Sequence, residues 1–203
     1  MAEIYFPARV MFRFVETLSA ELGHDILSAV LLKADLPREW AHHTYFAGLD
    51  NIRTAQAYSQ LQSALRAYYG RGARSIFLRI GSKLWERLLD DSTFGLKAQS
   101  VFIRGIPKSM RQKPALELLA RMLSAAPGNV TVHTQDLDLL LVDQTSPAIL
   151  NQSDSTPICF VTLGLIHECL FWADGREYDV EERACCALGA RQCEFKVTIG
   201  EQS

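Results

Sequence analysis

Apolar residues recur at helical spacing through the first 126 residues of the chain. The first series begins after Pro7, a residue suited to the first turn of a helix, and stops at Gly23: Val10, Phe14, Leu18 and Leu22. Thr54 is an N-cap candidate for a later helix that stops at Gly70. Apolar runs or helical steps mark four further stretches, 26–32, 54–69, 74–90 and 115–125. The N-terminal part, about 1–126, is therefore predicted to be helical.

The period changes after this part. Residues 129–133 and 137–142 are typical of two strands joined by a turn. The sequence Ser155-Thr156-Pro157 predicts a helix start, and the buried face of that helix is marked by Phe160, Leu163, His167 and Leu170. Residues 178–183 and 194–199 predict two closing strands around a turn at Gly189. We therefore predict an α+β fold, with helices packed on one antiparallel sheet, in a single domain over 1–203 with its core at about 128–199.

The charge balance gives the chain no strong electrostatic partner. Its 203 residues include 21 lysines and arginines against 23 aspartates and glutamates, a net charge of −2. We therefore expect neither nucleic acid nor a membrane surface as a partner. Charged residues interrupt the first 25 positions, and the longest apolar stretches are too short or too interrupted to cross a bilayer. We expect a cytoplasmic protein.

All five cysteines lie near the C-terminal end, and a reducing compartment favours a metal or catalytic role for such a group over a disulfide framework. If Gly189 turns the chain, Cys185 comes near Cys193, and Glu182 precedes them on the same strand. We expect Cys159 in the first turn of the preceding helix, where free amide groups favour a thiolate. Three thiolates and one carboxylate would make a closed, structural tetrahedral zinc site.

The spacing alone leaves two alternatives open. Cys159, Cys169 and Cys186 can be small buried apolar residues, an interpretation that we favour for Cys169 and Cys186. A Cys185–Cys193 disulfide is geometrically feasible but disfavoured in a reducing compartment.

The C-terminal motif resembles the 4-vinyl reductase (4VR) domain over about 157–197. The resemblance rests on Pro157-Ile158-Cys159 through Gly164-Leu165-Ile166, and on Val180-Glu181-Glu182, Cys185, Gly189, Cys193 and Phe195. A weaker match covers Tyr69-Gly70-Arg71-Gly72 with Arg79 and Gly81. The family includes a bacteriochlorophyll-biosynthesis protein and the sensor domains of aromatic-responsive activators. Its fold, the NO-signalling/Golgi-transport ligand-binding fold, is also that of TRAPP subunits and haem-type nitric-oxide sensors.

The resemblance implies a zinc-binding core and a small-molecule site. In the phenol-sensing members the zinc ligands are Cys, Glu, Cys and Cys, which correspond here to Cys159, Glu182, Cys185 and Cys193. This chain departs from the family at Ala190, where aspartate is common, and at Cys186, where an aliphatic residue is usual. The resemblance also implies an apolar or aromatic small molecule in a pocket between helices and sheet, a homodimer, and a signalling protein as partner.

Seven residues are candidates to line that pocket: Phe77, Trp85, Phe102, Phe160, His167, Phe171 and Trp172. Plain core packing is the alternative for each of them, and a satisfied core histidine is the favoured interpretation of His167.

Three functional hypotheses follow. The first is a sensor-like, small-molecule-binding domain stabilised by zinc. The second is an enzyme or substrate carrier in chlorophyll-type tetrapyrrole synthesis, and the third is a structural protein–protein module. A reductase needs a hydride source, and the sequence has no nicotinamide or flavin motif. Binding is therefore favoured over catalysis, and enzymatic activity is left undecided.

Overall fold

The computed structural model of the chain describes residues 4–200, so the first three and last three residues of the predicted domain lie outside the described residues. Within this range the helices are α1 (Ala8–Leu22), α2 (His24–Lys33), α3 (Asn51–Tyr69), α4 (Ala73–Asp90), α5 (Phe94–Gly105), α6 (Gln112–Leu123) and α7 (Phe160–Asp174). The strands are β1 (Val130–Gln135), β2 (Asp138–Asp143), β3 (Asp179–Ala184) and β4 (Cys193–Thr198). Across 4–200, no helix has both the length and the apolar character needed to cross a membrane.

The four strands form one sheet in the order β1-β2-β4-β3, and every neighbouring pair is antiparallel. The apolar residues of β2 and β4 meet in register, with Leu141 opposite Phe195, and both side chains are fully buried beneath the helices. Gly189 adopts a φ of +91° in the connection between β3 and β4, a conformation that glycine takes without steric cost. The predicted α+β fold, with helices on an antiparallel sheet, is confirmed.

Two helices differ from the prediction at their N-terminal ends or were not predicted. Asp50 caps α3, because its carboxylate accepts the backbone N–H groups of Ile52 and Arg53 at 3.1 and 2.9 Å. Thr54 is therefore inside the helix and not its cap. Helix α5 had no predicted counterpart, because Ile103 is its one buried residue and so its sequence has no apolar period.

Helix α7 begins later than its sequence signature indicates. The carboxylate of Asp154 accepts the N–H groups of Ser155 and Thr156, so this stretch forms a turn before the helix. Cys159 is consequently the residue before the first helical residue, and not part of the first turn. The predicted single buried face was also wrong, because α7 is buried on nearly all sides between α4, α6 and the sheet, while Phe160 and His167 are only half-buried.

Helices α4 and α7 cross with their backbones in contact. A Cβ atom on Gly164 would lie 2.2 Å from the carbonyl oxygen of Leu78, and one on Gly81 would lie 2.2 Å from that of Val161. No real Cβ atom approaches a backbone oxygen so closely, so the crossing requires glycine on both helices. This pair sets the distance between α4 and α7.

Candidate functional site

Four residues from three separate segments converge at one end of the sheet. Cys193 begins β4, Glu182 lies on β3, and Cys185 follows β3 just before the turn at Gly189. Cys159 precedes the first residue of α7. One ligand atom from each of the four lies within 4.8 Å of the others. The structure therefore brings together all four residues named from the sequence.

The sulfur spacing fits a tetrahedral metal ion. Zinc–thiolate bonds of about 2.3 Å in a regular tetrahedron place neighbouring sulfurs about 3.8 Å apart. The Sγ atoms of Cys159 and Cys193 are 3.7 Å apart. With three sulfurs and one carboxylate oxygen, every position of a tetrahedral ion would be filled by the protein, as in structural rather than catalytic zinc sites.

The Glu182 carboxylate is half satisfied by the protein. Its Oε2 atom accepts the backbone N–H of Cys159 at 3.1 Å. Its Oε1 atom is buried and has no hydrogen-bond partner within the described part of the chain. Burial, followed by a hydrogen bond with Cys185, raises the pKa of Glu182 to about 8. A buried oxygen without a partner costs free energy, and a cation bound among these four residues would remove that cost.

The three thiols hydrogen-bond to one another. Donation from Cys159 and Cys193 lowers the pKa of Cys185, and the same contact with Cys185, together with burial, raises the pKa of Cys159. The group thus favours one shared thiolate without a metal, and a bound metal ion would deprotonate the remaining thiols. Two further donors surround the sulfurs: the N–H of Cys186, 3.4 Å from Cys193 Sγ, and the hydroxyl of Ser146, 3.7 Å from Cys159 Sγ.

The remaining cysteines differ from each other. All five are free, so the Cys185–Cys193 disulfide is not formed. Cys169 is a buried residue inside α7 whose thiol donates to the carbonyl oxygen of Ala115 at 3.2 Å, in agreement with a packing role. Cys186 is only half-buried, which corrects its interpretation as a buried apolar residue.

The seven candidate pocket residues do not form one site. Phe77 is fully buried in the core, whereas Phe102 is 65% exposed on α5. Phe160 lies beneath the guanidinium of Arg74 at 5.7 Å from its ring centre. His167 is half-buried, and burial lowers its pKa. The other three, Trp85, Phe171 and Trp172, come together at one groove.

This groove has a volume of about 390 Å³ and lies between α4, α5 and α7. The rings of Trp85 and Trp172 meet edge to face at 5.4 Å, and the Arg104 guanidinium lies over Trp172 at 4.9 Å. The buried indole N–H of Trp85 finds no acceptor among residues 4–200. The volume falls within the usual range of small-molecule sites, about 300–1,000 Å³.

Charged residues form the rim of the groove. Cations come from α5 and from the connection to α6, and carboxylates come from α4 and α7: Arg104, Lys108, Arg111, Glu86 and Glu168. Arg111 donates to the carbonyl oxygens of Arg104, Ile106 and Ala173, and these bonds hold the rim against the end of α7. Sequence reasoning missed the cations because it did not predict α5.

The implied pocket between helices and sheet is nearly closed. The crevice there measures about 20 Å³, which is room for a water molecule but not for an organic ligand. Its lining includes Tyr58, Thr162 and the buried carboxylate of Asp143. Burial raises the pKa of Asp143 to about 6, against the lowering effect of the Thr145 N–H. The open groove beside Trp85 therefore differs in position from the pocket that the resemblance implies.

Comparison with solved structures places this fold among known folds. An H-NOX protein from K. algicida, in its Fe(II) unliganded state, shares 12% identity over 96% of this chain and 97% of its own, with a TM-score of 0.57. A trafficking protein particle complex subunit 3 from Naegleria fowleri, covalently bound to palmitic acid, shares 20% identity over 72% of this chain and 93% of its own, with a TM-score of 0.51. These likenesses establish a common fold.

Two further comparisons concern the C-terminal part. The phenol-responsive sensory domain of the transcription activator PoxR, solved with phenol, shares 16% identity over 70% of this chain and 73% of its own, with a TM-score of 0.50. No curated protein sequence matches the chain. The family model of the vinyl-4-reductase (4VR) domain matches residues 148–199, which include all four converging residues. The resemblance to the 4-vinyl reductase family is thereby confirmed, and residues 148–199 of this chain, the 4VR segment, form a domain of that family.

Proposed function

We propose that this chain is a sensor-like domain that binds a small molecule and is closed at its C-terminal end by a structural zinc ion. The zinc ligands are Cys159, Glu182, Cys185 and Cys193. The observation that carries the proposal is the convergence of their four ligand atoms within 4.8 Å, with a buried, unpartnered carboxylate oxygen among them.

The donor set favours zinc over other ions. Three thiolates suit a borderline-soft ion, and four protein ligands suit its tetrahedral preference, whereas magnesium and calcium prefer oxygen ligands. When bound, zinc would supply positive charge and cross-link the start of α7 to the ends of β3 and β4. The chain itself contributes the enclosure, because all three ligand cysteines are buried. Such a site leaves no position for a substrate, so its role is structural.

The small molecule is proposed to bind in the groove of Trp85, Phe171 and Trp172. Aromatic rings on two helices would stack on a planar apolar or aromatic ligand, and the buried Trp85 N–H offers it a hydrogen-bond donor. Ligands in related folds, phenol in one and palmitic acid in another, support binding of small apolar molecules in general. A homodimer and a signalling partner remain predictions from the resemblance.

Native mass spectrometry of protein purified from its own host tests the zinc proposal. We expect about one zinc ion per chain, because the four residues make one complete site. Acid denaturation should release the metal, and elemental analysis should identify it. A fully folded protein without metal would overturn the proposal. The same spectrum reports the oligomeric state, and a retained pigment would favour the tetrapyrrole alternative.

Aromatic probe binding tests the groove. We expect 4-nitrophenol to quench the fluorescence of Trp85 and Trp172, and Phe171→Ser to weaken its binding about 3- to 10-fold, the equivalent of about 0.5–1.5 kcal/mol for a lost aromatic contact. Fluorescence titration gives both dissociation constants.

The matched control removes a phenylalanine outside the groove. Phe94 is 89% exposed on α5, so Phe94→Ser should leave the affinity unchanged. Equal dissociation constants for Phe171→Ser and the wild type would place the probe elsewhere and contradict the proposed groove.

A further inference from the structure

A partly buried arginine connects helix α3 to the 4VR segment. Arg66 lies in the last turn of α3, and its Nη2 donates to the Oε1 atom of Gln152 at 2.7 Å. Its Nη1 atom is buried and has no hydrogen-bond partner in the range 4–200. A cation held in this way, with one donor unused, indicates an electrostatic role beyond the single hydrogen bond to Gln152.

The guanidinium lies within electrostatic reach of the cysteine cluster. Burial lowers the pKa of Arg66, while the negative forms of Asp154, Cys159 and Cys185 each raise it. The backbone also joins the two regions, because the N–H of Asp154 donates to the carbonyl oxygen of Ala187 at 3.0 Å, in the turn that follows Cys185. Two of the four converging residues thus face a positive charge from α3.

A filled metal site at this position needs such a charge. Three thiolates and a carboxylate around a divalent ion leave a net charge of about −2. A buried charge without an opposite charge nearby costs several kcal/mol. The N–H groups of Cys159 and Cys186 and the hydroxyl of Ser146 supply dipoles to the cluster, but they supply no net charge.

We propose that Arg66 is a positioning residue that supplies the counter-charge of the metal centre and so couples metal occupancy to the contact between α3 and the segment at 150–154. A second contact joins the same elements, since the Ser59 hydroxyl donates to the carbonyl oxygen of Leu150 at 2.6 Å. Metal release should therefore loosen α3 as well as the 4VR segment. The inference rests on the proposed zinc site.

The test compares charge removal with charge retention at this position. We expect Arg66→Met to release zinc to a chromogenic chelator about tenfold faster than the wild type, equivalent to about 1.4 kcal/mol. Arg66→Lys should stay within about twofold, because it keeps the charge. The difference should persist in 0.5 M NaCl, since salt screens partly buried charges weakly. Arg66→Gln gives the same comparison if the methionine variant does not fold.

Two controls separate charge from structure. Arg71→Met removes the same charge from an exposed position near the end of α3 and should release zinc as the wild type does. Gln152→Ala removes the hydrogen-bond partner and leaves the charge. In cobalt-loaded protein, Arg66→Met should shift the sulfur-to-cobalt charge-transfer band, whereas Gln152→Ala should not.

The outcomes for the two proposals are distinct. Equal release from Arg66→Met and the wild type would overturn the role of Arg66, as would release from Gln152→Ala as fast as from Arg66→Met. A wild-type protein that binds neither zinc nor cobalt would overturn the proposed zinc site itself.

Discussion

Cys193→Ser is expected to lower the melting temperature by about 10 °C or more. The hydroxyl of serine does not ionise at neutral pH, so the substitution leaves three of the four proposed zinc ligands. Structural zinc contributes apparent binding free energies of about 10–16 kcal/mol in small zinc-binding peptides. A loss of about 4 kcal/mol, at about 2–4 °C for each kcal/mol in a domain of this size, gives the expected shift. Differential scanning fluorimetry measures it.

Cys186→Ser is the matched control. Cys186 belongs to the same turn and is half-buried, but its sulfur is not one of the four converging ligand atoms. We expect a change of about 2 °C or less, because a partly exposed thiol tolerates a hydroxyl. A chelator should lower the melting temperature of the wild type and of Cys186→Ser, and leave that of Cys193→Ser unchanged. Identical melting curves for the two variants would contradict a structural metal at Cys193.

The cysteine cluster was accessible from the sequence because local geometry determines most of it. A hairpin with glycine at its turn brings Cys185 near Cys193 whatever the rest of the fold does. The position of Cys159 depends on where α7 begins, and there the expectation was off by several residues, because Asp154 makes a turn that the Ser-Thr-Pro signature conceals. The cluster still forms, because the residue before a helix also presents its N–H to a neighbouring carboxylate, here that of Glu182.

The groove and the counter-charge could not be predicted in the same way. The groove combines Trp85 from α4, Trp172 from α7 and Arg104 from α5, and no sequence spacing relates three such distant segments. Helix α5 shows no amphipathic period because it buries little. Arg66 has the spacing of an ordinary helix-surface residue, and its importance arises only from what the 4VR segment places next to it.

The contact between α4 and α7 should be the most sensitive point of the helical layer. We expect Gly164→Ala to lower the free energy of unfolding by about 4 kcal/mol or more, because the new Cβ atom would lie 2.2 Å from the carbonyl oxygen of Leu78. Backbone atoms inside a helix cannot rotate away, so the two helices must separate. Urea denaturation followed by circular dichroism measures the loss.

Gly95→Ala is the control for the effect of alanine on a helix. A Cβ atom on Gly95 meets nothing within 4 Å, and alanine favours a helix over glycine by up to about 1 kcal/mol. This variant should therefore be as stable as the wild type or slightly more so. A stability of Gly164→Ala equal to that of Gly95→Ala would show that α4 and α7 are not in backbone contact.

The same crossing also determines the width of the groove. Trp85 follows Gly81 by one helical turn on α4, and Phe171 follows Gly164 by about two turns on α7, so both helices run from the glycine contact to the groove. Separation of the helices should move these rings apart. We therefore expect folded Gly164→Ala protein to bind 4-nitrophenol more weakly than Gly95→Ala does, since affinity depends on rings held at stacking distance. Because Gly81 and Gly164 meet at one contact, the double alanine variant should lose less stability than the sum of the two single losses.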